Sequence, residues 1–388
     1  MRSFKYVIVG GGVASATAAE AIRARDPNGS LAIFSKEWAP PYQRPPLSKE
    51  FLQNRAMLEA TLVFPAAWYL ERNVDLFLGV EVTSIDPQQR MLRLKGKEIA
   101  YERLLLATGA KSRSLKIPGI ELDGVFELRS YLDAVRLRGV RASAEQVAIL
   151  GSGFIGMEVA ASLRSFGCNV TVITIDPALY VRFGRHIADH AEALFERHGV
   201  HFKVKTSIAS IDGKERVERL TLKYGRHFDV DAVIVGVGAL PDTMLATTAG
   251  IQIDDGIVVN DRLRTSVPDI YAAGDVARFP GIAGRLVRVE HFDNAYASGA
   301  TAGANMTGAD QPYRYVPFFW SDVFDLSFEF VGDPSGDVRI ADGIMESGSF
   351  VLEYRDGNRL CGALLVRRTL EEREAYRARL AGTTTLLS

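Results

Sequence analysis

Tyr6-Val7-Ile8-Val9-Gly10-Gly11-Gly12-Val13-Ala14-Ser15 carries a short β-branched run into a glycine turn and out into an alanine-rich stretch. That stretch, Ala14 to Arg25, stops at the turn cluster Asp26-Pro27-Asn28-Gly29, and Leu31 to Phe34 begins a second apolar run. Strand, turn, helix, strand is a βαβ unit, which implies parallel strands with helices on their faces. The same order returns at Gln146 to Thr174. Val147-Ala148-Ile149-Leu150 reads as a strand, Gly151-Ser152-Gly153 as a turn and Phe154 to Phe166 as a helix. Gly167 punctuates it, and Val170-Thr171-Val172-Ile173 is the next strand. The chain is internally duplicated.

Each turn has the chemistry of a dinucleotide site. Gly10 allows the tight bend and Gly12 lets backbone amides approach a pyrophosphate. The helix beginning near Val13 offers unpaired N–H groups and the positive end of its dipole. Ser15 stands at the third small position. Gly151, Gly153 and Gly156 complete the Gly-x-Gly-x-x-Gly pattern in the second turn. One such turn also serves to reverse a chain. Two of them, each between the required strand and helix, point to two dinucleotides. In a redox protein these are FAD and a nicotinamide nucleotide.

Ribose selection is read less directly. An acid commonly ends the second strand of an NAD-binding unit, where it accepts the 2′-OH. Here the strands end at Ser35 and Thr174, and the acids Glu37 and Asp176 stand two positions later. Either acid fits a ribose or a solvated turn. Arg182 and Arg185 fit a 2′-phosphate or an ordinary helix surface, so NADH and NADPH both stay open.

The remaining sequence is consistent with this frame. Leu104-Leu105-Leu106-Ala107-Thr108-Gly109 and Val233-Ile234-Val235-Gly236-Val237-Gly238 are matching apolar strands that end in small residues. Past about Tyr313 short β-type runs and turns predict a small antiparallel sheet with a helix near Leu370 to Leu380. The 388 residues carry 46 Lys and Arg against 47 Asp and Glu, a net charge of −1 with no global field for nucleic acid or an anionic membrane. The N-terminus lacks a signal-peptide core, and no window approaches the roughly 20 apolar residues of a membrane span. A soluble, cytoplasmic protein is expected. Its two cysteines, Cys168 and Cys361, exclude a disulfide scaffold and a cysteine-rich metal or iron–sulfur site in this chain. No metal site is expected.

Several segments carry a family resemblance. Pro41-Tyr42-Gln43-Arg44-Pro45-Pro46-Leu47-Ser48-Lys49 resembles the signature of ferredoxin-reductase-type flavoproteins. Those include the reductases of aromatic-ring dioxygenase and P450 systems, apoptosis-inducing factors and monodehydroascorbate reductases. Thr265-Ser266-Val267-Pro268-Asp269-Ile270-Tyr271-Ala272-Ala273-Gly274-Asp275 is similar to their second FAD motif. Val289-Glu290-His291 and Asn305-Met306-Thr307-Gly308 resemble the apoptosis-inducing-factor branch, and Phe319-Trp320-Ser321-Asp322 the shared C-terminal segment. The resemblance runs from residue 4 to about 332 and fades beyond.

It implies an α/β protein with two Rossmann-like dinucleotide-binding domains of the glutathione-reductase type and a small α+β C-terminal domain. The FAD-binding domain would comprise 1–115 and 240–316, the NAD(P)-binding domain 116–239, and the C-terminal domain 317–388. The resemblance places Asp275 on the FAD ribitol and the helix after His291 with its N-terminus toward the flavin. It pairs Lys49 with Glu158 beside the flavin N5. There the pair orients the nicotinamide and tunes N5 without acid–base work. Arg44, Arg129 and Trp320 are carried over as cofactor contacts, as are Val82, Ala107, Thr108, Gly109, Gly238, Gly274, Glu290, His291 and Phe292.

Dithiol relatives need a Cys-x4-Cys pair beside the flavin, and single-cysteine oxidases need one cysteine near residues 40–45. This chain has neither, so electrons leave from the flavin directly. Hydride transfer brings two electrons at once and a flavin releases them singly. A ferredoxin-like [2Fe–2S] protein is the acceptor that the resemblance implies. Such proteins are acidic, so their docking face would be basic. Arg136, Arg138 and Arg141 form one candidate cluster, and Arg367, Arg368, Arg373, Arg377 and Arg379 another. After Phe-Trp-Ser-Asp this chain departs from ferredoxin reductases with Val323-Phe324-Asp325-Leu326-Ser327. The continuation Phe330-Val331-Gly332-Asp333 is closer to monodehydroascorbate reductases, so a small radical or quinone is the alternative acceptor. An NADH-sensing flavoprotein is the non-catalytic alternative. Monomer and homodimer are both compatible with the sequence.

Overall fold

The computed structural model describes residues 2–176, 183–282 and 284–382, with only the backbone described at 141, 142, 186 and 346. Arg182 therefore lies outside the described residues. The first unit runs β1 (Arg2–Val9), α1 (Val13–Arg25), β2 (Leu31–Ser35), α2 (Ala66–Glu71), β3 (Val74–Leu78), β4 (Val82–Asp86), β5 (Met91–Leu94) and β6 (Lys97–Leu106). After β7 (Ala110–Ser112) and β8 (Val125–Glu127) comes α3 (Tyr131–Ser143). Then follow β9 (Gln146–Leu150), α4 (Phe154–Arg164), β10 (Asn169–Ile173), α5 (Arg185–Arg197) and β11 (Val200–Lys203). Strands β12 (Ile208–Asp212), β13 (Arg219–Leu222), β14 (His227–Asp229) and β15 (Ala232–Val235) complete the second unit.

The duplication read from sequence is a duplication of topology. The first sheet runs β3-β2-β1-β6, and the second runs β11-β10-β9-β15-β8, all of these pairs being parallel. In both, the first strand pairs with the second on one side and with a later strand on the other. An antiparallel three-stranded ribbon stands between third and fourth strands each time: β4-β5-β6 in the first unit and β12-β13-β14 in the second. Strand β6 is ten residues long because its front half belongs to the ribbon and its rear half to the parallel sheet. Val7, Ile8, Ala148 and Ile149 are wholly buried, as strands covered on both faces must be.

After the second unit the chain returns to the first sheet. It passes β16 (Ala239–Pro241), α6 (Met244–Thr248) and β17 (Ile257–Val258), and β18 (Ile270–Ala272) then pairs in parallel with the rear half of β6. Strands β19 (Ala277–Pro280) and β20 (Leu286–Arg288) lead to α7 (Phe292–Met306), which lies against α1. Gly299 and Gly303 allow this approach. A Cβ on either would come 2.4 and 2.3 Å from the carbonyl oxygens of Ala14 and Ala18.

The C-terminal sheet, in the order β21 (Phe318–Val323), β22 (Leu326–Gly332), β25 (Arg359–Val366), β24 (Ser349–Asp356) and β23 (Asp337–Ile344), is antiparallel throughout. Its two faces separate by the strand period of two. Phe350, Leu352 and Tyr354 share a core with Val159, Ala160 and Phe195 of the second unit, whereas Val351 and Leu365 pack with Leu380 of α8 (Leu370–Gly382). This docking carries β21 up to α4, where the site lies.

Candidate active site

The two glycine turns are built alike. A Cβ on Gly10 would lie 2.0 Å from the Ala107 carbonyl oxygen, and one on Gly151 2.4 Å from that of Gly236. Each glycine has positive φ, +134° and +102°, so each turn presses against the strand that follows the ribbon. Gly12 and Gly153 differ from them: a Cβ on either meets nothing within 4 Å. Both are the N-caps of their helices, α1 and α4, and neither helix start has a side-chain cap. Open space before uncapped amides is what a pyrophosphate requires.

In front of the first turn is a cavity of about 910 Å³. Its walls include Gly10, Gly12, Glu37, Arg44, Lys49, Val82, Ala107, Thr108, Gly109, Arg129, Gly274, Asp275, Glu290, His291, Phe292 and Trp320. These residues come from segments far apart in the chain, and the parallel sheet brings them to one crevice at its carboxyl ends. Ser15 is buried on α1 behind the turn and is not among the walls. Gly151, Gly153, Gly156, Thr174, Asp176 and Gly238 belong to the second turn and lie outside this cavity. Phe154, Ile155 and Glu158 of α4 reach its wall from that side.

Glu158 and Lys49 meet. Lys49 Nζ is 3.2 Å from Glu158 Oε1, and both side chains are about nine-tenths buried. Ser321 Oγ donates to Oε1 at 2.7 Å and Ser48 Oγ to Oε2 at 2.6 Å. Lys49 Nζ also lies 3.4 Å from Asp322 Oδ2. Burial pushes the Glu158 carboxyl above the usual carboxylate range, against the pull of Lys49 and the two serines.

The pairs Arg44–Glu37 and Arg129–Asp275 also line the cavity. Arg44 Nη2 bonds Glu37 Oε1 at 2.8 Å, Tyr42 Oη donates to Glu37 Oε2 at 2.6 Å, and Arg44 also donates to the Arg129 carbonyl. Burial raises the Tyr42 hydroxyl, so it stays a donor. Arg129 Nη2 meets Asp275 Oδ2 at 2.7 Å, and Arg129 Nε donates to the Ala110 carbonyl at 2.8 Å. Trp320 stands edge-on to Phe292 at 5.9 Å, and Phe319 packs on His291 at 4.8 Å.

The strand-end residues Ser35 and Thr174 share one device. Ser35 Oγ accepts from the Glu37 amide at 3.1 Å, and Thr174 Oγ1 accepts from the Asp176 amide at the same distance. Such a turn places the acid two residues on. Thr174 is buried and tied to Ser152 at 3.0 Å, leaving Asp176 exposed. Arg185 is exposed and within 3.8 Å of Asp189, its neighbour one helical turn on.

Tyr42, Ser48, Ser321 and Asp322 lie inside the signature segments, yet sequence reading gave them no role. The bonds from Ser48 and Ser321 to Glu158 span 110 and 163 positions, and no local pattern marks so distant a partner. The basic clusters also differ from a free docking face. Arg367, Arg368, Arg373, Arg377 and Arg379 are ion-paired with Asp325, Asp342, Glu329, Asp293 and Glu353 respectively. Arg138 donates to the carbonyls of Phe51 and Ala56 and covers the Phe51 ring at 3.6 Å. Arg136 is exposed, and the Arg141 side chain lies outside the described residues. Both cysteines are buried, and neither lines the cavity.

Residues 4–299 match the family described as pyridine nucleotide-disulphide oxidoreductase. The chain belongs to that family. It is 38% identical over 330 residues to a rubredoxin-NAD(+) reductase of Pseudomonas putida, covering 84% of this chain and 86% of the relative. It is 36% identical over 401 residues to the peroxisomal monodehydroascorbate reductase 4 of Arabidopsis thaliana, covering 96% and 81%. That alignment carries the likeness into the C-terminal sheet, beyond the point near residue 332 where the motifs fade. Among solved structures, the ferredoxin reductase for the CYP199A2 system of Rhodopseudomonas palustris superposes with a TM-score of 0.91 at 32% identity, covering 95% of this chain and 93% of that one. The family uses FAD and NAD(H), and the cavity residues fit FAD: Gly12 leaves the space, Glu37 and Asp275 offer carboxylates, and α7 begins at the wall. Among the described residues no helix is long and apolar enough to cross a membrane, and no cluster of His, Cys, Asp and Glu could hold a metal.

Proposed function

We propose that the chain is an FAD-dependent NADH reductase that hands electrons singly to a ferredoxin-like iron–sulfur protein. The observation that carries the reading is the single cavity joining the Gly12 cradle to the buried Lys49–Glu158 pair beneath α4. When bound, FAD supplies the conversion of a two-electron hydride into single electrons. The protein's part is to bind, orient and exclude water. Gly12 and the first amides of α1 cradle the pyrophosphate, Glu37 and Asp275 accept hydroxyl hydrogen bonds, and the N-terminus of α7 favours negative charge at the flavin. Glu158 and Lys49 orient the nicotinamide, which α4 and Gly153 hold by its pyrophosphate.

The sheets support a division into an FAD unit from 1–115 and 240–316, a nicotinamide unit from 116–239 and a C-terminal unit from 317–388. Asp176, exposed and held forward by Thr174, favours the 2′-OH of NADH and opposes a 2′-phosphate. A cytoplasmic location suits a reductase with two reduced, buried cysteines. A second acceptor, a small organic radical, is favoured by the 36% identity, over 96% of this chain, to a monodehydroascorbate reductase.

Anaerobic stopped-flow mixing tests the reading. NADH should bleach the flavin faster than NADPH, and a [2Fe–2S] ferredoxin should reoxidise it in single-electron steps. Fast reoxidation by monodehydroascorbate alone would move the assignment to the second acceptor. A persistent long-wavelength band with negligible turnover would move it to a sensor.

A further inference from the structure

Glu158 is a buried carboxylate with three direct partners, Ser48, Lys49 and Ser321, and one of the three comes from the C-terminal sheet. Its Oε1 accepts from Ser321 Oγ at 2.7 Å and lies 3.2 Å from Lys49 Nζ, while Oε2 accepts from Ser48 Oγ at 2.6 Å. The Lys49 ammonium is in turn divided between Glu158 and Asp322, at 3.2 and 3.4 Å. Asp322 is half exposed, and Lys49 and Glu158 are nearly sealed. Two carboxylates thus share one buried cation, and two hydroxyls fix the inner carboxylate.

Neutral donors and a second carboxylate act on Glu158 in opposite senses. A hydroxyl bond to the charged form favours ionisation, whereas a second anion competing for the same ammonium opposes it. The charged groups facing Glu158 are Lys49, which follows the Pro45–Ser48 turn, and behind it Asp322 on β21; Ser48 and Ser321 do not titrate in this range. We propose that Ser321 and Asp322 are positioning residues for the hydride-transfer site. Ser321 favours the ionised form of Glu158 and aims it at the nicotinamide, and Asp322 draws Lys49 partly off it, so β21 sets the charge on the pair. This rests on the reading above that the cavity holds the flavin with its reacting edge beside Glu158.

The test follows the carboxyl itself in the FAD-loaded full chain, by infrared difference titration with the band assigned through its loss in Glu158→Gln. Ser321→Ala should move the Glu158 midpoint upward by about one pH unit, and Ser321→Thr should restore it, since the bond to a charged group is worth roughly tenfold or more. Asp322→Asn should move the midpoint downward. Shifts of opposite sign support the proposal. Shifts of the same sign, or none in either folded variant, overturn it, and Asp322→Asn suffices if Ser321→Ala fails to fold. Wild-type protein that purifies without FAD would defeat the functional reading, and with it the link to hydride transfer; the carboxyl titration would then show separately whether β21 sets the charge on the Lys49–Glu158 pair.

Discussion

The two glycine turns use one backbone device and surround it with different side chains. At both, the first glycine presses on a neighbouring carbonyl and the second leaves an open, uncapped helix start. Around Gly12 the space is enclosed. Glu37 is already paired with Arg44, Asp275 with Arg129, and a long cavity closes over them. Around Gly153 the acid at the strand end is exposed and the Thr174 hydroxyl is spent on Ser152 and the turn. A preorganised cradle suits a cofactor that stays. The backbone geometry of the two turns is therefore shared, and the side chains around them differ.

This contrast breaks most readily at the glycines. Gly12→Val should leave the fold intact, because its Cβ has room, yet weaken FAD binding roughly hundredfold, or about 2.8 kcal/mol at 1.4 kcal/mol per decade. Gly153→Val should leave the protein yellow and raise only the NADH requirement. Gly10→Ala, by contrast, should destabilise the chain by about 1–3 kcal/mol or more, since a side chain is forced into positive φ against Ala107. Flavin fluorescence and thermal melts separate these outcomes.

The next effect is at the meeting point of the two turns. Glu158→Gln should keep FAD bound and slow flavin reduction by NADH by roughly tenfold to hundredfold, the usual consequence of losing reactant orientation. Stopped-flow rates check it. Asp176→Ala should raise the KM for NADH roughly tenfold with kcat little changed, the pattern of a binding contact to a charged acceptor. The same variant should narrow the gap between NADH and NADPH.

The smallest effect lies away from both turns. Glu353 is buried on β24, which pushes its carboxyl up, but Arg339, Arg355 and Arg379 more than reverse this and hold it down at about 2. A depressed acid stabilises the fold above its ordinary value, near about 4.3, and loses that contribution as pH falls toward about 2. Melts of wild type and Glu353→Gln should therefore converge as the pH drops from 5 toward about 2, whereas Gly10→Ala keeps its deficit across that range.

Much of this was legible in the sequence because it is local. Gly10, Gly12, Gly151 and Gly153 declare themselves by spacing within a strand-turn-helix, and Lys49, Glu158 and Asp275 by short motifs. What was not legible is pairing across the fold. Ser321 reaches Glu158 only because the C-terminal sheet docks on α4, and that depends on Phe350, Leu352 and Tyr354 finding Val159 and Phe195. The ion pairing of the C-terminal arginines was hidden for the same reason. Read along the chain they are a basic run, but folded Arg373, Arg377 and Arg379 face Glu329, Asp293 and Glu353.

Anaerobic titration of the purified chain with NADH, followed by its visible spectrum, decides the matter most directly. A single tightly held FAD per chain should bleach with stoichiometric NADH, and thiol-blocking reagents should leave that reduction unchanged. A chain that binds no flavin, or whose flavin is reduced only while its cysteines are free, would contradict two dinucleotide sites joined without a thiol relay.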